Sequence, residues 1–141
     1  IALGMASNAS LIILDEPTNG LDIPSKRKLR KLIASVINED TCMIISTHQV
    51  KDLDSLIDKI ILVDEGEIIV NTDTESITQK LVFKLLPNIS TTEKYLYNES
   101  SLAGHLIVKE RTLDDEATKL DLELFFNAGI NNKDGIKQLF N

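Results

Sequence analysis

Two adjacent carboxylates, Asp15 and Glu16, are the residues of this sequence whose type and position are best suited to chemistry. They directly follow an apolar run at residues 11–14 and directly precede Pro17. A continuous apolar run that a breaker closes predicts a short strand, buried on both faces in the middle of a parallel sheet. Such a strand ends at the carboxyl edge of its sheet, where open α/β folds bind ligands. Neighbouring carboxylates repel each other, and a bound cation offsets that repulsion, so the pair suggests a cation site.

Phosphoryl transfer is a reaction that gives such a pair of carboxylates two different tasks. An Asp at a strand end can hold Mg²⁺, usually through water, while a neighbouring group orients the attacking water. Successive side chains of a strand point in opposite directions, so Asp15 and Glu16 are not expected to do the same job. Pro17 ends the strand, and Gly20 permits an unusual backbone turn, which gives the following loop a defined shape.

A histidine, His48, stands at the end of a second apolar run at residues 42–45. Taken alone, a surface histidine that caps the next helix is the commoner explanation. Combined with the Asp-Glu-Pro strand end, His48 becomes a candidate for the same site. His105 has no such neighbours in the sequence, and we expect it to be a structural or surface residue. Cys42 is the single cysteine, so an internal disulfide is excluded, and we expect a reduced core residue.

The spacing of apolar side chains predicts the elements that must position these residues. Between the two strands, one face of an amphipathic helix is apolar at i, i+3, i+4, i+7 and i+8: Leu29, Leu32, Ile33, Val36 and Ile37. Pro24 suits the first turn of that helix. Strand, helix and strand form a βαβ unit whose strands are parallel. A short helix at residues 50–57 and a hairpin at residues 60–70, with Gly66 in its turn, complete an α/β segment.

After residue 72 the alternation of strands and helices is lost, so we place a domain boundary there. Residues 73–141 are predicted to form a small α+β accessory module. Its predicted elements are a short helix and a strand before Pro87, a helix that begins with a capping box at residues 90–93, a strand at 105–109, a helix that Asp121 begins and Gly129 ends, and a last helix at 133–140.

The composition is that of a globular protein, with 43% hydrophobic and 26% charged residues among 141. The net charge of −7 argues against a nucleic-acid partner. A cluster of lysines and arginines at residues 26–31 is explained by the solvated face of the predicted helix. No apolar run approaches the roughly 18 residues that cross a membrane.

The sequence Asp-Glu-Pro-Thr-Asn-Gly-Leu-Asp at residues 15–22, joined to the Ser-Thr-His strand end at residues 46–48, is a specific combined signal. It closely resembles the Walker B motif, catalytic glutamate, D-loop and H-loop of the ATP-binding-cassette (ABC) ATPases. The hairpin with Gly66 also resembles that family, and residues 1–7 look like the helix that follows the family's Leu-Ser-Gly-Gly-Gln signature. The resemblance covers residues 1–72. It implies an α/β fold, part of a P-loop NTPase sheet, followed by the small α+β C-terminal module.

The resemblance implies a role for each matching residue, with ATP and Mg²⁺ as the cofactors. Asp15 resembles the Walker B aspartate associated with Mg²⁺, usually through water. Glu16 resembles the carboxylate that polarises the attacking water. His48 resembles the switch histidine that links the γ-phosphate to that water. Asp22 resembles the D-loop aspartate, which lies at the interface between two nucleotide-binding domains.

Three motifs of the family are missing from this sequence: the Gly-x-x-x-x-Gly-Lys-Ser/Thr phosphate-binding loop, the Q-loop and the Leu-Ser-Gly-Gly-Gln signature. In a complete member all three precede the position of Ile1, and the chain begins without Met within an apolar pattern. We therefore expect this chain to be a fragment of a longer ATPase. Alone, it is expected to have neither ATPase activity nor tight ATP binding.

Three kinds of function remain open on this basis. The favoured one is the ATPase of a membrane transporter, with a transmembrane permease and a second nucleotide-binding domain as partners, at the cytoplasmic face of the membrane. The first alternative is a soluble ABC ATPase of the translation-factor or DNA-repair type. Gly20 argues against it, because ribosome-associated members typically have His there. The second alternative is a regulatory or binding role carried by residues 73–141. The sequence does not specify the transported substrate or its direction.

Overall fold

The structure is a computed structural model that describes residues 9–38, 40–53 and 56–140. The helix predicted at residues 1–7 lies outside the described residues. The chain forms two compact units, Ile1–Leu56 and Ile57–Asn141. The first unit contains both candidate strand ends, and the second contains the hairpin and everything that follows it.

The first unit is built on a parallel pair of strands, as the sequence predicts. Strand β1 (Leu11–Asp15) pairs in parallel with β2 (Cys42–Ser46), and the register aligns the last residues, Asp15 and Ser46. Helix α1 (Ile23–Val36) connects them, with Pro24 in its first turn. The side chain of Asp22 caps the helix by accepting a hydrogen bond of 2.8 Å from the backbone N–H of Ser25. The predicted βαβ order is therefore confirmed.

The segment after β2 differs from the predicted short helix. A single 3₁₀ turn occupies Val50–Asp52, and a non-helical turn follows at Leu53. Residues 54 and 55 of the predicted helix lie outside the described residues. Leu53 itself is fully buried, so the apolar spacing on which the prediction depended reflects burial rather than a continuous helix.

Two expectations about burial in the first unit are wrong. Strand β1 is covered on one face only, because Ile12 is buried whereas Ile13 is 66% exposed. Cys42 is free and exposed rather than in the core. Side chains alternate along a strand, so Cys42 shares its face with Ile44, which is 50% exposed. The residues paired with these two, Leu11 and Ile13, are exposed as well, so this face of the sheet is not covered by the described part of the chain.

The second unit begins with the predicted hairpin. Strands β3 (Lys59–Asp64) and β4 (Glu67–Asp73) are antiparallel and joined by a two-residue turn. Both turn residues have positive φ, 49° at Glu65 and 81° at Gly66, which is the requirement of a type I′ hairpin turn. A bulge between Leu62 and Val63 leaves Ile69 without a paired residue, and both Leu62 and Ile69 are buried.

The remainder of the unit is an antiparallel sheet with three helices. Helix α2 (Thr74–Lys80) starts at an Asp73 cap. The remaining elements are β5 (Leu81–Leu86), β6 (Tyr97–Ser101), β7 (Gly104–Glu110), α3 (Leu122–Asn131) and α4 (Lys133–Phe140). The order of strands in the sheet is β5-β7-β6. The two strands that the sequence predicts here, β5 and β7, are confirmed, as are the Asp121 cap and the last helix.

The capping box predicted at residues 90–93 is wrong, since no helix forms there. The Ser90 backbone N–H donates to the Tyr95 hydroxyl at 3.2 Å, and the Glu93 carboxylate pairs with Lys109 of β7. Glu93 therefore forms an ion pair with a distant strand instead of the hydrogen bond to the backbone N–H of Ser90 that a capping box requires. The same stretch leads into β6, a polar edge strand that the apolar pattern did not reveal.

Gly129 does not end helix α3, which continues to Asn131. Its role is close packing: a Cβ built on Gly129 would lie 2.2 Å from Cδ2 of Leu62 in the hairpin. The hydrophobic core of this unit joins hairpin residues to the later helices and sheet. Hairpin and C-terminal elements therefore share one core, and the compact units divide earlier in the chain than residue 72. The division into a family domain and an accessory module at residue 72 stays a prediction.

We predict that Gly129→Ala destabilises the second unit, because the added methyl group overlaps Leu62. Overpacking typically costs about 1–3 kcal/mol in the free energy of unfolding, and the higher helix propensity of Ala offsets about 1 kcal/mol of that loss. Circular dichroism in urea measures it. In a Leu62→Ala background the same substitution should cost much less. Asn131→Ala, on an exposed position of the same helix, serves as the control and should change stability by less than about 0.5 kcal/mol. An equal effect of Gly129→Ala in the parent chain and in the Leu62→Ala background would contradict the packing.

Candidate functional site

The candidate site lies where the two parallel strands of the first unit end. Because Asp15 is paired with Ser46 in the register of the sheet, their side chains emerge next to each other. The Ser46 hydroxyl donates a hydrogen bond to Oδ1 of Asp15. The carboxyl edge of β1 therefore meets the carboxyl edge of β2, as the predicted parallel pairing requires.

Glu16 continues this arrangement one residue beyond the strand. Its backbone N–H donates to the Ser46 carbonyl at 2.8 Å, and its φ is +42°, a left-handed conformation that is uncommon for a residue with a side chain. This conformation interrupts the strict alternation of side chains. It allows the Glu16 carboxylate, as well as that of Asp15, to contact the end of β2.

Three hydrogen-bond donors of the segment after β2 surround the Glu16 carboxylate. The Thr47 hydroxyl donates to Oε2 at 3.0 Å, and the His48 backbone N–H donates to Oε1 at 3.1 Å. The His48 ring nitrogen Nδ1 lies 2.6 Å from the same Oε1. An ionised carboxylate only accepts hydrogen bonds. Nδ1 therefore carries the hydrogen in this pair, which leaves Nε2 as the ring nitrogen available to a ligand.

These contacts lower the pKa of the Glu16 carboxyl below its ordinary value, and the His48 side chain is the largest cause. The Thr47 hydroxyl and the His48 backbone N–H act in the same direction, whereas desolvation opposes them. The two side chains are partly accessible, 30% exposed for Glu16 and 67% for His48. Glu16 is thus an ionised carboxylate, fixed in direction and open to solvent, which is what a group that orients a water molecule needs.

The loop after Glu16 is ordered by its own backbone. The Asn19 N–H donates to the Glu16 carbonyl at 3.1 Å, and the Leu21 N–H donates to the Thr18 carbonyl at 3.2 Å. Gly20 has φ +73°, as its position in the sequence suggests. Thr18 is fully buried. The loop therefore has the defined shape that the sequence predicts.

Asp22, the fourth predicted site residue, is placed differently. Its carboxylate caps helix α1, and hydrogen bonds from the side chain and backbone of Ser25 lower its pKa. Among the described residues, no hydrogen bond joins it to Asp15, Glu16 or His48. The structure thus brings three of the four predicted residues together and gives the fourth a local role in helix capping. Its predicted place between two domains stays a prediction.

The oxygen atoms at this edge suit Mg²⁺, although they do not form a complete site. Mg²⁺ keeps several waters and binds through one or two carboxylates plus phosphate oxygens. The exposed carboxylate of Asp15 fits that requirement. Within residues 9–38, 40–53 and 56–140, no group of three or more His, Cys, Asp or Glu side chains is arranged to hold a metal ion. A metal at Asp15 therefore depends on water and on a bound phosphate for its other ligands.

Ser46 and Thr47 are site residues to which the sequence analysis gave no role. Their hydroxyls contact Asp15 and Glu16 respectively. The predicted parallel pairing could have identified Ser46, because it places the last residue of β2 beside Asp15, the last residue of β1. The role of Thr47 depends on the backbone conformation of Glu16, and no pattern in the sequence specifies that conformation.

Comparison with known proteins gives sequence relatives. The chain is 32% identical over 108 residues to an uncharacterised ABC transporter ATP-binding protein of Methanocaldococcus jannaschii, covering 76% of this chain and 40% of that protein. It is 38% identical over 73 residues to the lantibiotic transport ATP-binding protein SrtF of Streptococcus pyogenes, covering 52% and 32% respectively. It is 32% identical over 77 residues to the ABC transporter ATP-binding protein NatA of Bacillus subtilis, covering 55% and 31%. No protein-family model matches the chain.

Two features of these matches bear on the organisation of the chain. The chain spans 40% or less of the length of each of these relatives. A match over 76% of the chain necessarily extends beyond residue 72. The likeness to the Methanocaldococcus protein is therefore not confined to the segment that carries the motifs.

We predict that His48→Ala raises the pKa of the Glu16 carboxyl, because it removes the largest cause of the lowering. A carboxyl whose pKa is lowered by folding stabilises the fold at every pH above its pKa in the unfolded chain, near 4.3. That contribution is lost as the pH falls through the pKa of the carboxyl in the folded chain. The parent chain should therefore keep Glu16 ionised to a lower pH than the variant does. Titration of the carboxyl carbon by nuclear magnetic resonance measures both values. An unchanged midpoint would mean that the two side chains do not interact in solution.

Proposed function

This chain belongs by sequence to the ATP-binding proteins of ABC transporters, and on that premise we propose that it carries the water-activating part of an ATPase. The ATPase energises a membrane transporter by hydrolysing ATP at the interface of two nucleotide-binding domains. Three relatives with ABC transporter or transport ATP-binding names support the transporter class. The acidic balance of the chain, with a net charge of −7, supports it over a class that acts on nucleic acid.

One observation carries the proposal: the Glu16 carboxylate is held at the carboxyl edge of a parallel sheet in contact with His48. In phosphoryl transfer the protein contributes positioning and electrostatics, and a side chain that orients the attacking water is one of the recurring parts. We assign that task to Glu16, whose lowered pKa keeps it ionised as a hydrogen-bond acceptor. His48 holds the carboxylate through its Nδ1–H. A hydrogen bond from Nε2 to a γ-phosphate oxygen requires the imidazolium form, in which both ring nitrogens carry a hydrogen, and we propose that His48 contacts the γ-phosphate in that form.

Asp15 is assigned to the metal side of the site. In this proposal the Asp15 carboxylate would hold Mg²⁺ through bound waters, and the ion would supply positive charge beside the phosphate oxygens. The Ser46 hydroxyl holds Asp15 from the neighbouring strand. The backbone cradle for the phosphates is not part of this sequence, and we propose that the remainder of the full-length protein supplies it.

The proposed partners are a transmembrane permease and a second nucleotide-binding domain, with the ATPase at the cytoplasmic face of the membrane. Asp22 is proposed to face the second domain from the start of helix α1. Among the described residues, no helix combines the length and the apolar character needed to cross a bilayer. We propose that membrane association depends on the permease.

We predict that Glu16→Gln in the full-length protein preserves ATP binding but lowers kcat by at least about a hundredfold, the scale of general acid–base catalysis. Gln is nearly isosteric but lacks the negative charge that polarises the water. It also repels the nucleotide phosphates less, so an ATP-bound dimer should accumulate, which size-exclusion chromatography with ATP and Mg²⁺ detects. Glu110→Gln, the same change at an exposed position outside the site, is the control. Hydrolysis by Glu16→Gln at the parent rate would remove Glu16 from the mechanism.

We predict that His48→Ala lowers kcat more than it lowers the affinity for ATP, because its proposed phosphate contact forms mainly as the two domains close. Nucleotide binding and turnover must be measured separately to detect this difference. His105→Ala is a matched control, since His105 is the other histidine of the chain and lies in the second unit. A large loss of ATP affinity at unchanged kcat would assign His48 to ground-state binding.

A further inference from the structure

The orientation of the Glu16 carboxylate is determined from two sides. His48 contacts Oε1 through its backbone N–H and its ring, and Thr47 contacts Oε2 through its hydroxyl. A carboxylate held at one oxygen can still rotate about its terminal torsion, because that torsion is broad. A donor on the second oxygen fixes the plane of the group, and here Thr47 provides it.

The Thr47 hydroxyl is itself oriented. The Gln49 backbone N–H donates to the Thr47 Oγ1 at 3.0 Å, which occupies a lone pair of the oxygen and leaves its single proton for Glu16. The Gln49 side chain is held in turn, because its Oε1 accepts a hydrogen bond of 2.7 Å from the Lys26 ammonium of helix α1. The hydroxyl thus belongs to a connected set of contacts that reaches from the helix to the carboxylate.

The backbone conformation of Glu16 makes its hydrogen bond with Thr47 more important. A non-glycine residue in the left-handed region is strained, and such strain persists where surrounding contacts over-determine it. At Glu16 those contacts are the hydrogen bonds to its carboxylate and the backbone hydrogen bond to Ser46. Removing the Thr47 hydroxyl therefore loosens a side chain whose backbone is already held against its preference.

We propose that Thr47 is a positioning residue, whose hydroxyl fixes the plane of the Glu16 carboxylate and so directs it at the attacking water. The inference rests on the proposed function, in which Glu16 orients that water. Thr47 itself touches neither water nor nucleotide in this scheme. Its effect is therefore expected on turnover and not on the binding of ATP.

The test compares Thr47→Val with Thr47→Ser in the full-length protein. Valine keeps the shape of threonine without the hydroxyl, whereas serine keeps the hydroxyl. Loss of a hydrogen bond to a charged group predicts a kcat about tenfold or more lower for Thr47→Val, with the KM for ATP changed less than about twofold. Thr47→Ser should recover most of the parent kcat. The matched control is Thr41→Val, which removes a hydroxyl bonded to Asn38 at the opposite end of the same strand and should leave kcat unchanged.

A double substitution separates positioning from a general structural effect. If Thr47 acts through Glu16, adding Thr47→Val to Glu16→Ala should cause no further loss of kcat, because residues that act as a unit are not additive. A further tenfold loss in that background would overturn the inference. If Thr47→Val also lowers the melting temperature, kcat is measured for Thr47→Ala, which removes the hydroxyl without adding a methyl group in its place. A parent kcat in Thr47→Ala would overturn the inference, and a loss of about tenfold would support it.

The remaining outcomes distinguish this inference from the proposed function. If Glu16→Gln abolishes turnover and Thr47→Val retains the parent kcat, the proposed function stands and the positioning role is wrong. If Thr47→Val and Thr47→Ser lose kcat equally, the hydroxyl is not the active feature, and the inference is again wrong. If Glu16→Gln hydrolyses ATP at the parent rate, the assignment of Glu16 fails, and the positioning role fails with it.

Discussion

The register of the two parallel strands in the first unit is the constraint on which the candidate site depends. It sets Asp15 beside Ser46. The residues that directly follow the two strands, Glu16 after β1 and Thr47 and His48 after β2, therefore lie next to each other. A slip of one residue would turn every side chain of a strand to the other face of the sheet. The hydroxyls and the histidine of residues 46–48 would then point away from the two carboxylates. The arrangement of side chains at this edge is thus a consequence of strand pairing.

The backbone conformation of Glu16 explains how two consecutive carboxylates, Asp15 and Glu16, both contact the end of β2. In a regular strand, Asp15 and Glu16 would face opposite sides of the sheet, and one segment could not contact both. The left-handed φ of Glu16 turns its side chain toward the end of β2, at a cost that the hydrogen bonds to its carboxylate offset. The strained residue is also the one with the proposed chemical role, a combination that is common at functional sites.

The second unit has its own organising contact, which is the hairpin packed against the C-terminal helices. Leu62 of the hairpin fits against Gly129 of helix α3. At the turn, Lys133 lies 2.5 Å from Asp64 and 2.7 Å from Glu65. Such exposed ion pairs are worth at most about 1 kcal/mol each, so the buried apolar core contributes the larger share. Removal of helices α3 and α4 would therefore expose buried side chains of the hairpin.

The sequence by itself determined those features that depend on neighbouring residues. The strand at residues 11–14, the amphipathic helix, the hairpin turn at Gly66 and the Asp121 cap all follow from local spacing or local hydrogen bonding. The carboxylates and His48 were identifiable as candidates because they stand where apolar runs stop. The spacing of apolar residues likewise predicts the order of strand, helix and parallel strand in the first unit.

Only the tertiary structure decided what depends on contacts between distant residues. Glu93 pairs with Lys109 rather than capping a helix, and Gly129 makes room for Leu62 rather than ending a helix. Thr47, which follows β2, donates to Glu16, which follows the neighbouring strand β1. Each of these residues also fits a plausible local role, so its own neighbours in the sequence could not reveal the actual one. The physical reason is that a side chain forms hydrogen bonds and packing contacts with the groups that lie within a few ångströms of it. Strand pairing and core packing determine which groups those are.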